Sequence, residues 1–202
     1  MTSTDPSKNQ RPRITAEGCA LLDFGHGPAP RLGCYAVFFV ADGCVAIETA
    51  TSEAAVDALA AELEIPRAPL PPSLAILAAF ARGEPVDLAT VPIVLSGPPF
   101  FLKVWKALRS VHRGEVCTYA HLARAARSPR AMRAVGQAMA RNPLPLVVPC
   151  HRVIADHARL GGYTGGTDRK RALLALEGVE VDGDVVRPGQ LDLVLDRARG
   201  PG

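Results

Sequence analysis

The chain has 202 residues, 48% hydrophobic and 21% charged, which suits a folded globular protein; with no run near 18 apolar residues and a polar start, MTSTDPSKNQRPR, neither a membrane span nor an export signal is expected, and the reading is cytoplasmic. The net charge of +3 hides an asymmetry: 14 Lys/Arg stand against 4 Asp/Glu from Pro98 to Gly178, and 9 against 16 elsewhere. A half this basic points to a polyanion, most often nucleic acid, the bland alternative being a solvated arginine-rich surface.

Residues 1–13 read as a disordered tail. Strand-like runs follow at Ile14 to Phe24, Cys34 to Val40 and Cys44 to Thr49, the last two joined through Asp42-Gly43, a hairpin signal. Ser52 can cap a helix carrying Val56, Leu59 and Leu63 at helical spacing, and Ser73 starts a second that ends at Gly83. The stretch from Val86 to Gly97 is an extended crossover. Beyond it Phe100, Val104, Trp105 and Leu108 share a helix face, Thr118 caps a helix from Tyr119 to Ala126, and Ser128-Pro129 opens a longer one from about Arg130 to Arg141. The last two, joined by a tight turn, make a helix-turn-helix candidate. Leu144 to Val148 reads as a short buried strand. A glycine-rich loop, Gly161 to Gly166, lacks the G-K-[ST] ending of a phosphate loop and reads as a backbone wall. Asp168 to Leu176 is a closing helix, and one hairpin is expected around Asp182-Gly183.

The fold class expected is α+β. A small N-terminal antiparallel sheet domain with helices (14–97, with the crossover) precedes a mainly helical C-terminal domain (98–178) that holds the helix-turn-helix and Cys150, with an extension at 179–202. Five cysteines (Cys19, Cys34, Cys44, Cys117 and Cys150), odd in number and without C-x-x-C spacing, argue against disulfides and a zinc ribbon. A zinc site from Cys19, Cys34 or Cys44 with His26 is the minor alternative; no metal or cofactor is expected.

Pro149-Cys150-His151-Arg152-Val153 sets a cysteine beside a histidine and an arginine. Positive charge next to a thiol lowers its pKa and raises the nucleophilic thiolate fraction, so Cys150 is read as reactive, against the alternative of a small buried hydrophobe.

Arg133-Ala134-Val135-Gly136, Asn142-Pro143, the Cys150 pentapeptide, Gly162-Tyr163-Thr164-Gly165-Gly166 and Leu176-Glu177-Gly178, in that order, strongly resemble the O6-alkylguanine-DNA alkyltransferases. The likeness is close from Phe100 to Gly178 and looser upstream, where Leu77 to Asp87 resembles the family's helix before the crossover. It implies a DNA repair protein that moves the alkyl group from O6 of guanine to its own cysteine in a single turnover, a methylated-DNA–protein-cysteine methyltransferase acting as a monomer on duplex DNA containing O6-alkylguanine.

The resemblance makes Cys150 the nucleophile and His151 its base through a bound water, with Glu177 orienting the imidazole and Tyr119 donating to guanine N3. Asn142 braces the segment before the cysteine. Arg152 either adds positive potential or pairs with a carboxylate. Arg133 would enter the stack vacated by the flipped nucleotide, or else contact a phosphate. Ser128, Arg130, Ala131, Ala134 and Gly136 would face the DNA minor groove with it. Met139, Pro145, Val153, Tyr163, Thr164 and Gly165 would form the substrate pocket. Phe101 stands where many members have glutamine, and Met132 where a small residue precedes the arginine. Competing classes are a non-catalytic damage-recognition module, a helix-turn-helix regulator and a cysteine hydrolase; Cys150, His151 and Glu177 occurring together argue against the first of these.

Overall fold

The computed structural model describes residues 14–25, 27–29, 32–41 and 43–187. The expected tail, His26, Asp42 and residues 188–202 of the expected extension lie outside the described residues. Strands β1 (Gly18–Asp23), β2 (Cys34–Val40) and β3 (Gly43–Ala50) form an antiparallel sheet in that order, with a register shift between Phe38 and Phe39. Successive side chains of a strand point to opposite faces. Tyr35 and Val37 therefore join one buried cluster with Phe24, Leu77 and Phe80, while Ala36 and Phe38 join another with Val56 and Ala60. Burial on both faces is why β2 reads as an unbroken apolar run.

Helix α1 (Glu53–Glu62) is capped by Ser52, whose side chain accepts from Ala55 N at 3.2 Å. Helix α2 (Ala75–Ala81) begins later than expected, because Pro72, Ser73 and Leu74 form a 3-10 turn and Ser73 caps nothing. The crossover runs along the outer edge of β3: Cys44 N donates to Pro92 O and Val94 N to Cys44 O, both at 2.9 Å. Gly43 allows that approach, since a Cβ there would lie 2.6 Å from Pro92 O.

Helix α3 (Pro99–Leu108) buries Phe101, Val104, Trp105 and Leu108, so Phe101 and not Phe100 begins the buried face. Trp105 Nε1 donates to Ala138 O at 2.9 Å, tying α3 to helix α5 (Met132–Ala140). Strand β4 (Cys117–Thr118) leads into helix α4 (Tyr119–Ala125), where Thr118 caps through His121 N at 3.1 Å. The expected Ser128 cap is absent. Arg127 sits at φ 56, Ala131 N closes a turn onto Ser128 O at 2.9 Å, and α5 starts only at Met132. Pro129 thus serves the turn rather than the first helical position.

The expected strand at Leu144 to Val148 is a buried series of turns. Leu146 has φ 77 and Val148 N reaches back to Leu144 O at 2.8 Å. Pro143, Pro145 and Pro149 each lack the N–H a ladder needs. Strand β5 (Val153–Ile154) comes after the cysteine and pairs in parallel with β4. Helix α6 (Thr167–Leu176) and the hairpin β6 (Val181–Asp182) with β7 (Val185–Val186) follow. One buried cluster runs from Leu22, Tyr35 and Phe80 through Trp105 and Leu122 to Val148 and Cys150.

Candidate active site

Cys150 opens a single 3-10 turn, Cys150–Arg152, directly after the buried proline-rich turns. Asn142 holds that approach in place. Its Nδ2 donates to Val148 O at 2.7 Å and to Cys150 Sγ at 3.2 Å, and its Oδ1 accepts from Leu144 N at 3.0 Å. The next residue, Pro143, is held by the N-terminal sheet, because Ile47 N donates to Pro143 O at 2.8 Å.

Behind the cysteine lies a fully paired charge network. Glu177 follows α6 and accepts from Arg152 twice, Nε at 2.9 Å and Nη2 at 2.7 Å, while His151 Nε2 lies 3.1 Å from Glu177 Oε1. Arg152 Nη1 donates to Val111 O at 2.5 Å. Burial works against the Glu177 charge, but His151 and Arg152 outweigh it and hold the carboxyl down at about 2. Facing an ionised carboxylate, Nε2 of His151 carries the proton. Nδ1, buried and without a hydrogen-bond partner among the described residues, is then the ring's free acceptor. Burial also lowers the His151 pKa against the pull of Glu177, which keeps the imidazole neutral.

The expected lowering of the thiol pKa by Arg152 is not found, because the guanidinium is engaged by Glu177. Burial raises the Cys150 pKa, opposed by hydrogen bonds from Asn142 and Tyr163 and by the charge of Lys170. With its pKa raised above the ordinary thiol value, Cys150 is a protonated thiol near neutral pH.

Lys170 was not among the residues expected at the site. It is fully buried and donates to Val153 O at 2.6 Å, to Leu160 O and to Gly162 O. Burial lowers its pKa to about 8, the thiol of Cys150 pulling the other way. A signal was present in the sequence: Lys170, Leu173, Leu174 and Glu177 lie at i, i+3, i+4 and i+7, the spacing of one buried helix face. A second contribution comes from β2, where Tyr35 is buried under the Arg169 guanidinium, 5.5 Å from its ring centroid.

A cavity of about 250 Å³ opens beside Cys150, lined by Tyr119, Gly136, Met139, Ala140, Gly162, Tyr163 and Thr164. Of the expected pocket residues, Met139, Tyr163 and Thr164 line it; Pro145, Val153 and Gly165 do not. Val153 is buried in β5 with its carbonyl bonded to Lys170, Pro145 belongs to the buried turns, and Gly165 packs near Tyr163 and Arg169. Tyr119, at the start of α4, lines the same cavity.

On the outer side, Arg130 and Arg133 are exposed, while Ser128, Ala131 and Ala134 are half-buried. Arg127, Arg130 and Arg133 make no ion pair among the described residues. Among the described residues no group of three His, Cys, Asp or Glu could hold a metal ion, and no helix is long and apolar enough to cross a membrane; His26 lies outside them.

Residues 99–179 match the family described as 6-O-methylguanine DNA methyltransferase, DNA binding domain. A methylated-DNA–protein-cysteine methyltransferase of Mycolicibacterium paratuberculosis is 45% identical over 101 residues, 50% of this chain and 61% of that protein. A constitutive one of Bacillus subtilis is 49% identical over 89 residues, 44% of this chain and 54% of that protein. The chain thus spans little more than half the length of the curated relatives it matches. In structure it is similar to the O6-methylguanine methyltransferase of Mycobacterium tuberculosis, with TM-score 0.64 and 32% identity over 83% of this chain and 96% of that one. A structure of the tuberculosis protein in complex with DNA aligns with TM-score 0.65 and 31% identity, over 79% of this chain and 92% of that one. Likeness over nearly the whole of a relative, together with the family match across the Cys150 segment, shows that this chain belongs to the O6-methylguanine-DNA methyltransferase family.

Proposed function

We propose that this protein repairs DNA by transferring the alkyl group of O6-alkylguanine to Cys150 in a single turnover, working as a monomer on duplex DNA. The observation that carries the reading is that Cys150 lines a cavity of about 250 Å³ and is followed directly in the chain by a buried imidazole whose Nδ1 has no hydrogen-bond partner among the described residues. The target atom lies inside the duplex, so the nucleotide must leave the stack to reach that cavity. Helices α4 and α5 act as a helix-turn-helix whose second helix faces the minor groove. Arg133 fills the gap left in the stack, and Ser128, Arg130, Ala131, Ala134 and Gly136 line the contact.

In the cavity Cys150 Sγ attacks the alkyl carbon. An S–C bond forms, the C–O6 bond breaks, and its electron pair leaves with guanine. The thiol proton passes to His151 Nδ1 through a water, while Glu177, kept ionised by Arg152, holds the ring and stabilises the imidazolium. Lys170, behind the loop, favours the sulfur's negative charge. The Tyr119 hydroxyl donates to guanine N3 as charge builds on the departing base. No cofactor enters this scheme.

The test is to mix the protein with a duplex carrying one O6-methylguanine and weigh its peptides. One added methyl on the Cys150 peptide is expected. Retained binding with no mass change would replace this reading with a non-catalytic damage-recognition module.

A further inference from the structure

We infer that Met132 is a second wedge beside Arg133, an apolar side chain that enters the base stack as the nucleotide turns out. The inference rests on the duplex-binding reading above. Met132 is 47% exposed, the most exposed of three large hydrophobic side chains left in solvent among the described residues. The fold supplies it with no cover, although an apolar side chain of this size gains from burial.

Its position on α5 says what could cover it. At about 100° per residue, Met132 and Arg133 straddle the direction of Gly136, which lies one turn further on. Gly136, Met139 and Ala140 line the cavity beside Cys150. Four residues at 1.5 Å rise put Met132 about 6 Å beyond Gly136 along the helix. The space directly over Gly136 is open, since a Cβ there would meet no atom outside the helix's own backbone within 4 Å. Helical side chains also lean toward the N-terminus, so Met132 and Arg133 project past the start of the helix together. A group passing into the cavity therefore passes between them.

Charge identifies the occupant. From Val116 to Ala155 the chain contains no Asp or Glu. Arg130 and Arg133 flank Met132 in sequence and are both exposed. A second copy of this face would be repelled, and a polyanion would be held. Within a polyanion, the surface that suits an apolar thioether is the face of a base, which sulfur contacts favourably and which apolar wedges enter between steps.

The test uses the full chain and duplexes carrying O6-methylguanine with the fluorescent base 2-aminopurine next to it, whose emission rises when it unstacks. Met132→Ala should lose most of the emission rise seen with the unaltered protein and slow duplex transfer about tenfold, equivalent to about 1.4 kcal/mol. It should leave transfer from the free base O6-benzylguanine within about twofold, a change under about 0.5 kcal/mol. Met132→Leu should restore most of both duplex signals, and an abasic site opposite the lesion should shrink the defect. An equal emission rise and equal duplex rate for Met132→Ala would overturn the wedge. If the unaltered protein transfers no alkyl group yet shows the Met132-dependent emission rise, the wedge stands and the transfer reading falls.

Discussion

The interior behind Cys150 and the outer face of α5 in front of it treat charge in opposite ways. Behind the thiol each charged group has a hydrogen-bond partner: Arg152 pairs with Glu177, which also meets the neutral His151 ring, and Lys170 is held by carbonyls. In front, Arg127, Arg130 and Arg133 stand unpaired in solvent among the described residues. A buried ion without a partner costs several kcal/mol, so the interior network must be complete within the fold. Exposed arginines carry little such cost, and their charge remains available to a polyanion. The cavity lies where the two regions meet, with Cys150 from one and Gly136, Met139 and Ala140 from the other.

Four perturbations set the regions apart. The largest effect is expected from Cys150→Ser, which should abolish transfer to O6-methylguanine duplex while gel-shift affinity holds; methyl transfer by this variant would remove Cys150 as the nucleophile. Next, Glu177→Gln leaves Arg152 buried without its counter-ion and should lower stability by about 3–5 kcal/mol, read from urea midpoints. The same pair predicts acid behaviour. The Glu177 carboxyl sits at about 2 in the fold against an ordinary 4.5, so it binds its proton more weakly folded than unfolded. Its contribution is complete above about pH 4.5 and is lost as pH falls toward 2. Between those limits the stability gap between the native chain and Glu177→Gln should narrow, and a gap that stays constant would contradict the ionised network.

Arg133→Ala acts on the other region. It should slow duplex transfer by about tenfold or more, a loss of at least about 1.4 kcal/mol, while the urea midpoint stays unchanged. A shifted midpoint would mean that Arg133 supports the fold. The smallest effect belongs to Arg130→Ala, which should reduce the slope of log affinity against log salt by about 1, as expected for one lost phosphate contact. An unchanged slope would take Arg130 off the DNA contact surface.

Features that depend on near neighbours were legible from the sequence. The apolar run of β2, the caps at Ser52 and Thr118 and the hairpin around Asp182-Gly183 all arise within a few residues of chain. That Cys150 and His151 are chain neighbours was visible for the same reason. Where local signals misled, a distant contact or a proline had intervened. Leu144 to Val148 has a strand's composition, yet Pro145 and the flanking Pro143 and Pro149 leave it as buried turns. Ser128-Pro129 has a helix-start pattern, yet the turn after Arg127 uses it and α5 begins at Met132.

The linear order of residues by itself determined that a cysteine with an adjacent histidine lies in a carboxylate-free, arginine-rich stretch, and that a small sheet precedes it. Only the tertiary structure decided which charges meet. Arg152 and Glu177 are 25 residues apart and Lys170 lies 17 beyond the carbonyl it binds in Val153. Pairing across such distances follows from how helices and turns pack, not from local propensity, and it overturned the expected cause of thiol reactivity. Burial raises the Cys150 pKa, so in the transfer we propose its activation falls to His151 as a base rather than to a neighbouring cation.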